Sequence, residues 1–233
     1  MGDEAVLLAR RSGCPVAAGA DRAAAAQMLI DVDRCDMIVA DDGLQHYRLE
    51  RDLEILVVDA ARGFGNGRCL PAGPLREPLR RLREADVTVC NGGPCVPGGM
   101  LMRLVPGRLV NLRRSEITCD LDDMRGRQVT GVAGIGNPRR FFALLRRHGI
   151  RVHERAYGDH HRFRPKDAAT WGAGPVLMTE KDAVKCESFA AATHWYLPVE
   201  AELDDGLIEW LTNRLRGLKY GQEAARHSGV SPV

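Results

Sequence analysis

The chain alternates short apolar segments with amphipathic ones, and this alternation is the feature that most restricts its fold. Apolar runs typical of strands occupy Leu53–Asp59 and Asp86–Cys90. Further along, the strand-like Gln128–Ala133 is followed by a helical segment, Arg139–His148, and a second strand-like segment, Ile150–Glu154. Short, continuous apolar strands that alternate with helices are typical of parallel sheets covered on both faces. We therefore predict an α/β fold.

The remaining elements are predicted from the same two patterns. Helices are also expected at 4–12, 22–30 (with Asp21 as its N-cap), 75–84, 166–172, 180–188 and 202–215, and strands at 15–18, 175–179 and 194–198.

The same pattern predicts two α/β lobes, since 233 residues suffice for one large domain or two small ones. We place the first lobe at residues 1–108, a connector at 109–125 and a second, smaller lobe at 126–216. Residues 94–107 are rich in glycine and proline and are expected to form a surface excursion. The polar tail, 217–233, is expected to be disordered.

Two adjacent acids follow another apolar run. Met37–Ala40 is predicted to be a buried strand, and Asp41 and Asp42 come directly after it. Open α/β sheets bind ligands beyond the carboxyl ends of their strands, and carboxylates there suit Mg²⁺ that is shared with substrate phosphates. A simple Asp-Asp-Gly turn is the alternative. The neighbouring Gln45 and His46 favour the metal site.

Three other polar segments each have a functional and a structural interpretation. Arg62–Arg68 could present backbone amides and guanidinium groups to an anion, although glycine patterns of this kind are weak signals. Asp159–His161 could orient a proton acceptor or bind a metal, or it could be an exposed polar loop. Thr179 is expected to cap a helix, with anion binding by Lys181 as the alternative.

Charge and hydropathy exclude several classes of protein. The net charge of +2 argues against a nucleic-acid-binding chain. Lysine occurs at four of the 33 basic positions, and 33 − 4 leaves 29 arginines, which we ascribe to a general preference for arginine rather than to anion recognition. No apolar run approaches the ~18 residues of a transmembrane helix. No signal peptide is recognisable, so we expect a soluble, intracellular protein.

The seven cysteines indicate no metal site. Cys90 and Cys95 are the closest pair, and neither a second pair nor a histidine partner completes a zinc site. We expect all seven to be reduced thiols without a function.

Four segments of the first lobe carry a resemblance to a known family. They are Asp-Asp-Gly-Leu-Gln-His-Tyr-Arg-Leu (41–49), Arg-Asp-Leu-Glu-Ile (51–55), Arg-Gly-Phe-Gly-Asn-Gly (62–67) and Pro-Ala-Gly-Pro-Leu-Arg-Glu-Pro (71–78). With these segments the chain resembles the tetraacyldisaccharide 4′-kinases of lipid A biosynthesis. Further matches in order and spacing are Gly2-Asp3-Glu4, Asp21-Arg22, Gly134–Pro138, Asp159-His160 and Thr179–Lys185.

The resemblance implies a fold, an activity and a location. The first lobe would be an N-terminally truncated, P-loop NTPase-like parallel sheet core, followed by the smaller α/β lobe. Enzymes of this family transfer the γ-phosphate of ATP to the 4′-hydroxyl of an acylated disaccharide lipid, which implies ATP and Mg²⁺ as cofactors. We expect peripheral contact with the cytoplasmic face of the bacterial inner membrane, no nucleic acid and no obligate protein partner.

The resemblance also assigns roles to individual residues. Asp3 matches the catalytic base that accepts the proton of the sugar hydroxyl, and His160 matches its imidazole partner. Asp41 and Asp42 match the acids that hold Mg²⁺. Other polar positions match residues that line the active site and bind the nucleotide; these are Arg22, Gln45, His46, Arg76 and Glu77.

The chain departs from the family pattern in one respect. The glycine-rich Walker A loop of the family precedes the Gly-Asp-Glu motif, and the 233 residues contain no Gly-x₄-Gly-Lys-Ser/Thr sequence. We therefore expect the phosphate-binding loop, its strand and the membrane-associating helix to be missing from this chain. A non-catalytic remnant of the family is one alternative function. A sugar-nucleotide enzyme that binds metal through Asp41 and Asp42 is another.

Overall fold

A computed structural model describes residues 2–228 of the chain, with side chains described as far as residue 218. The described helices are α1 (Asp3–Ser12), α2 (Arg22–Asp31), α3 (Pro138–Arg147), α4 (Pro165–Ala168), α5 (Glu180–Cys186) and α6 (Asp205–Ser228). The described strands are β1 (Ile55–Asp59), β2 (Val87–Asn91), β3 (Met100–Pro106), β4 (Leu109–Asn111), β5 (Thr118–Cys119), β6 (Gln128–Ala133), β7 (Arg151–Ala156), β8 (Val176–Thr179), β9 (His194–Leu197) and β10 (Val199–Leu203). Short 3₁₀ turns cover Leu79–Arg83, Leu121–Met124 and Glu187–Phe189.

The elements belong to two compact units. The first comprises the chain up to Asp41 together with Pro106–Glu200, and the second comprises Asp42–Val105 together with the chain from Ala201 onward. The division cuts the sequence differently from the predicted boundaries at 108, 125 and 216. The reason is that α1 and the 109–125 segment pack within the same unit as β6 to β9, and contacts between elements, rather than order along the chain, define a domain.

The first unit is built on a six-stranded sheet of order β5-β4-β9-β8-β6-β7. Strands β9, β8, β6 and β7 run parallel to one another, whereas β4 pairs antiparallel with both β5 and β9. The predicted succession of strand, glycine loop, helix and strand is confirmed in β6, α3 and β7. This unit was expected to be the smaller lobe, but it contains the larger sheet because β4 and β5, expected to be an extended connector, join it.

Apolar side chains cover both faces of this sheet. On one face Val129 and Ala133 of β6 pack with Phe142 and Leu145 of α3. On the other face Val132 packs with a second cluster, which includes Met178 of β8 and Ala183 of α5. Alternate residues of a strand point to opposite faces, so a continuous apolar run such as β6 is stable only where both faces are covered.

The second unit contains a four-stranded sheet of order β1-β2-β3-β10. Strands β1, β2 and β3 are parallel, as predicted for the first two of them. Val87 and Val89 of β2 pack against Leu207 of α6 to form its core. Strand β3 lies within the segment that was expected to be a surface excursion. Its residues Met100 and Met102 pack against that core, which explains why a segment rich in glycine and proline is ordered here.

Two predicted strands of the first unit are wrong. Met37–Ala40 and residues 15–18 have irregular backbone, and Val39 is 88% exposed. A strand exists only through hydrogen bonds to a neighbouring strand, and residues 37–40 make none within the part of the chain that the structure describes. The apolar pattern alone could not supply that partner. Asp41 and Asp42 therefore do not follow a strand in this structure.

Two further predictions are corrected in the second unit. The helix expected at 75–84 is reduced to the 3₁₀ turn Leu79–Arg83. Leu75 is engaged instead in a bridge with Cys69, and Pro78 has no amide hydrogen to donate. At the other end of the chain, α6 continues to Ser228, so residues 217–228 of the predicted disordered tail are helical. The rest of that tail, residues 229–233, lies outside the described residues.

Not all seven cysteines are reduced, contrary to the expectation from the sequence. Cys90 and Cys95 form a disulfide bond, with their Cα atoms 5.6 Å apart. The intervening Gly92 and Gly93 adopt positive φ angles of 89° and 158°, and this tight turn brings the two cysteines together.

None of the helices described between residues 2 and 228 combines the length and the apolar character required to cross a membrane.

Candidate active site

In the first unit, the amino-terminal acids of α1 meet the lysines of α5. Asp3 and Glu4 occupy the first turn of α1, where carboxylates interact favourably with the helix dipole. Four ion pairs join the two helices: Asp3–Lys185, Glu4–Lys181, Arg10–Glu187 and Arg11–Glu180. The Gly-Asp-Glu motif and the 179–185 motif, far apart in sequence, therefore lie together.

Helix α5 begins where strand β8 ends. Thr179 caps the helix, because its hydroxyl accepts a hydrogen bond from the Asp182 amide at 3.2 Å, and the predicted cap is confirmed. The ammonium of Lys181 lies 2.9 Å from Glu4 Oε1 and 3.5 Å from Asp159 Oδ1. The Lys181 ammonium is thus paired with two carboxylates of the protein itself, and anion binding by Lys181 stays a prediction.

Asp182 is fully buried and well supplied with hydrogen-bond donors. Its Oδ2 accepts from the Gly134 amide at 2.8 Å and from the Thr179 hydroxyl at 2.7 Å, while Oδ1 receives the Lys185 ammonium at 3.1 Å. Lys185 itself is 7% exposed and reaches Asp3 Oδ2 at 3.4 Å. Buried charges persist only when paired and hydrogen-bonded, and this network meets that condition.

The loop that carries His160 approaches the same lysines. Partial burial acts to raise the pKa of the Asp159 carboxyl, but attraction to Lys181 and His160 outweighs it, so the pKa lies below its usual value. His160 has a φ of 58°, and its amide donates to Asp159 Oδ1 at 3.0 Å. The His160 ring is exposed and lies 3.8 Å from Asp159 Oδ2. Within the described residues, no hydrogen bond or ion pair joins Asp3 to His160. Asp3 pairs with Lys185, and His160 is connected to Lys181 through Asp159.

The second unit holds another set of the predicted residues. The guanidinium of Arg76 lies 3.0 Å from a carboxylate oxygen of Asp42, and both side chains are largely exposed. Glu77 accepts hydrogen bonds from the Tyr47 hydroxyl at 2.6 Å and from the Gln45 amide at 3.5 Å. The hydrogen bond from Tyr47 lowers the pKa of the Glu77 carboxyl. Sequence reasoning did not single out Tyr47, although it lies in the 41–49 motif.

The turn that follows Asp42 is fixed by hydrogen bonds. Asp42 has a φ of 48°, a left-handed conformation that aspartate tolerates better than most residues. Arg51 donates to the carbonyl oxygens of Gly43 and Leu44 at 3.1 and 3.2 Å, and it also pairs with Glu54. His46 lies in this turn with an exposed side chain. The Arg-Asp-Leu-Glu-Ile motif therefore supports the turn that presents the acids.

Asp41 belongs to the first unit, where Arg22 donates to its carbonyl oxygen at 2.6 Å. Arg22 directly follows Asp21, whose carboxylate caps α2 by accepting from the Ala24 amide, as predicted. The carboxylates of Asp41 and Asp42 supply the hard oxygen atoms that Mg²⁺ prefers. Among the side chains that the structure describes, residues 2–218, no group of three or more histidine, cysteine or acidic side chains is assembled around a metal position. Two carboxylates fit Mg²⁺ only when phosphates and water complete its coordination.

The glycine-rich Arg62–Arg68 loop is closed by its own polar groups. The Asn66 side-chain amide donates to the Ala72 carbonyl at 2.8 Å, and Asn66 Oδ1 accepts from the Arg68 amide at 3.2 Å. Gly73 is required here, because a Cβ at that position would collide with Asn66 Oδ1 and with the backbone carbonyl of Arg68. The arginine side chains of the loop are exposed.

Sequence reasoning left the role of the lysines open, although a signal was present. Lysine is rare in this arginine-rich chain, and two of its four lysines lie four residues apart on one helix. The lysine ammonium is a compact point charge on a flexible stem, whereas arginine carries a planar guanidinium group. That contrast could have directed attention to Lys181 and Lys185.

Comparison with known proteins identifies the relatives of this chain. Residues 1–216 match the family model of the tetraacyldisaccharide-1-P 4′-kinases, LpxK. The tetraacyldisaccharide 4′-kinase of Methylobacillus flagellatus is 47% identical over 219 residues, which cover 94% of this chain and 65% of that protein. The kinase of Nitrosococcus oceani is 50% identical over 206 residues, or 87% of this chain and 60% of that protein. The chain therefore spans less than two thirds of the length of these curated relatives.

A solved structure is similar as well. The crystal structure of LpxK from Aquifex aeolicus in complex with ATP matches with a TM-score of 0.66 and 26% identity, covering 85% of this chain and 62% of that one. The match supports the mixed α/β architecture with two mostly parallel sheets. The resemblance inferred from the sequence motifs is confirmed by these comparisons.

Proposed function

This chain belongs to the tetraacyldisaccharide-1-P 4′-kinase family, and from that premise we propose that it functions in phosphoryl transfer to a lipid A precursor. The donor is ATP and the acceptor is the 4′-hydroxyl of a tetraacyldisaccharide 1-phosphate. The products are ADP and the 4′-phosphorylated lipid. The chain acts at the cytoplasmic face of the bacterial inner membrane, where an acylated substrate resides, and its P-loop NTPase-like core contains the four-stranded sheet.

The observation that carries this proposal is the assembly of acids and lysines in the first unit. Asp3 and Glu4, at the start of α1, are gathered with the Asp159–His160 loop through Lys181 and Lys185. These residues come from three separate motifs of the family. A cluster of this composition suits proton abstraction, because a carboxylate oriented by fixed charges can accept a proton from a bound hydroxyl.

Asp3 accepts the proton of the 4′-hydroxyl as the acceptor oxygen attacks the γ-phosphorus and the bond to the ADP oxygen breaks. His160 assists by orienting or sharing that proton. Little covalent chemistry is required of the protein in such a transfer, so positioning and charge neutralisation account for most of the rate.

Asp41 and Asp42 are the residues that would hold Mg²⁺, which neutralises phosphate charge when bound. Arg76 pairs with Asp42 in this structure and would move between that carboxylate and a phosphate oxygen, since guanidinium groups bind both. Arg22, Gln45, His46 and Glu77 complete the polar residues assigned to the nucleotide. Glu77 and Gln45 are already joined by a hydrogen bond through their side chains.

A non-catalytic role of these 233 residues taken by themselves is the second candidate. The 233 residues contain no Gly-x₄-Gly-Lys-Ser/Thr sequence, which forms the loop that binds the β- and γ-phosphates in P-loop NTPases. A lobe without that element could still bind a lipid headgroup. The two candidates differ in one measurable property, which is turnover of ATP.

A hybrid protein tests the proposal. The part of the Methylobacillus flagellatus kinase that precedes its match with this chain is joined to Met1, and phosphorylation of the tetraacyldisaccharide is followed with labelled ATP. We expect transfer to the lipid by the hybrid and none by an otherwise identical hybrid with Asp3→Asn. A folded hybrid that binds ATP and leaves the lipid unmodified would exclude catalysis by these residues and favour the non-catalytic role.

A further inference from the structure

Two lysines on one face of α5 receive the two parts of the candidate base. Lys181 and Lys185 are four residues apart, so their side chains project from the same face of the helix. Lys185 pairs with Asp3 at 3.4 Å, and Lys181 pairs with Asp159, the residue before His160, at 3.5 Å.

Lys185 is held in place from inside the protein. Its ammonium lies 3.1 Å from the fully buried Asp182, which is itself fixed by the Gly134 amide and the Thr179 hydroxyl. The contact with Asp182 therefore already restricts the rotamers of the Lys185 side chain, independently of Asp3. A charge fixed in this way can hold the Asp3 carboxylate in one orientation at little additional cost in side-chain entropy.

Lys181 makes the corresponding contact on the other side. Its ammonium bridges Glu4, the neighbour of Asp3, and Asp159, which accepts a hydrogen bond from the His160 amide. The left-handed backbone of His160 is an uncommon conformation for a residue other than glycine, and such conformations persist where the surroundings hold them. Lys181 thereby links the start of α1 to the loop that presents the imidazole.

We propose that Lys181 and Lys185 are positioning residues that hold Asp3 and the Asp159–His160 loop in the arrangement required for proton abstraction. This inference rests on the proposed function for its purpose, but its geometry concerns the chain alone. Both lysines act through carboxylates of the chain itself, Lys185 through Asp3 and Lys181 through Asp159. The competing explanation is that the lysines merely attach α1 to α5, as Arg10 and Arg11 do further along the same helices.

The first experiment uses the 233-residue chain and needs no catalysis. The carboxyl of Asp159 is titrated by ¹³C NMR in the unaltered protein and in variants. Lys181→Met is expected to raise the pKa of Asp159, because the lysine is the largest attraction that opposes its burial, with His160 the other cationic group facing it. Lys181→Arg should keep the pKa low, and Arg10→Met, in the same helix pair, should leave it unchanged. An unaltered Asp159 pKa in Lys181→Met would overturn the assignment of Lys181.

The second experiment measures catalysis in the hybrid protein. Lys185→Met is expected to lower kcat by about 10²-fold with the KM for ATP unchanged, as is typical when a catalytic group is misplaced. Lys185→Arg should restore part of kcat, whereas Arg10→Met should alter neither constant. Equal kcat in Lys185→Met and the parent hybrid would overturn the inference for Lys185. If the parent hybrid itself is inactive, the proposed function fails, while the NMR titration still decides whether Lys181 holds Asp159.

Discussion

At the scale of single residues, Asp3 and His160 are connected through other side chains. Whether the two act as one unit in catalysis can be measured. Residues that act as one unit lose their function together, so the second substitution adds little to the first. In the hybrid protein, Asp3→Ala and His160→Ala should each lower kcat strongly, and the double variant should be scarcely slower than Asp3→Ala. Circular dichroism of each variant provides the control for folding. Additive free-energy penalties in the double variant would mean that the two side chains act independently.

His194 is a second residue whose properties follow from its surroundings. It is 5% exposed beside the Trp171 ring, and burial lowers its pKa. The unfolded chain, with an ordinary histidine pKa of about 6.5, therefore takes up a proton that the folded chain resists as the pH falls. Folded-state stability should decline below that pH until the folded pKa is reached.

The comparison of two proteins measures this contribution of His194. Urea unfolding near pH 7.5 and pH 5.5, which bracket the ordinary histidine pKa of about 6.5, should show a smaller loss of stability in His194→Gln than in the unaltered chain. The glutamine keeps an acceptor for the Ala191 amide but does not titrate. Carboxyls such as Glu180, whose pKa is raised by burial and which act in the opposite direction, are common to both proteins. The same pH dependence in both would show that His194 contributes nothing to it.

At the scale of elements, α1 and α3 have the same length but depend on different forces. Leu145 of α3 is fully buried against β6, whereas Leu8 of α1 is 47% exposed and α1 is held by ion pairs. Leu145→Ala should lower the free energy of unfolding by about 3 kcal/mol, because it leaves a cavity. Leu8→Ala should change the free energy of unfolding by less than about 0.5 kcal/mol. Chemical denaturation of the two variants tests this contrast, and similar losses would contradict it.

Elements were predictable where local and tertiary signals agree. The β6–α3–β7 unit combines an apolar strand, a glycine loop and a strongly amphipathic helix, so each signal specifies the same structure. Met37–Ala40 carries only the apolar signal of a strand. Its Met37 and Val39 are exposed and it pairs with no strand of the described chain, so this signal is insufficient. The helix predicted at 75–84 failed for a similar reason, since its leucine spacing competed with Pro78 and with the bridge at Leu75.

At the scale of the whole molecule, the absence of a Walker A sequence in the 233 residues leads to a prediction about ATP. The backbone amides and lysine of that loop supply much of the affinity for the β- and γ-phosphates in P-loop NTPases. Isothermal calorimetry should therefore detect no micromolar binding of ATP by this chain. The hybrid protein is the matched control and should bind. Micromolar binding by the 233-residue chain would mean that other residues, such as Arg62 and Arg68, replace the loop.

Sequence motifs suggested which residues belong to the proposed site, whereas the folded structure showed how these residues are arranged. The motifs led us to propose Asp3, Asp42, Arg76 and Glu77 as site residues from sequence alone, and the structure brings Asp42 to Arg76 and Gln45 to Glu77. The motifs did not indicate Tyr47, nor that Lys185 rather than His160 is the direct neighbour of Asp3. Ion pairs between residues far apart in sequence leave no periodic pattern, so they become visible only once the helices are packed.

The sequence by itself determined the α/β class, most helices and central strands, the helix caps at Asp21 and Thr179, and the family. These properties depend on hydrogen bonds and apolar spacing within a few residues, or on motifs that need no geometry. Only the tertiary structure decided that α1 belongs with β6 to β9, that Cys90 bonds to Cys95, and that 37–40 is not a strand. Each of these depends on which distant segment supplies the partner, and that choice is made by packing over the whole unit.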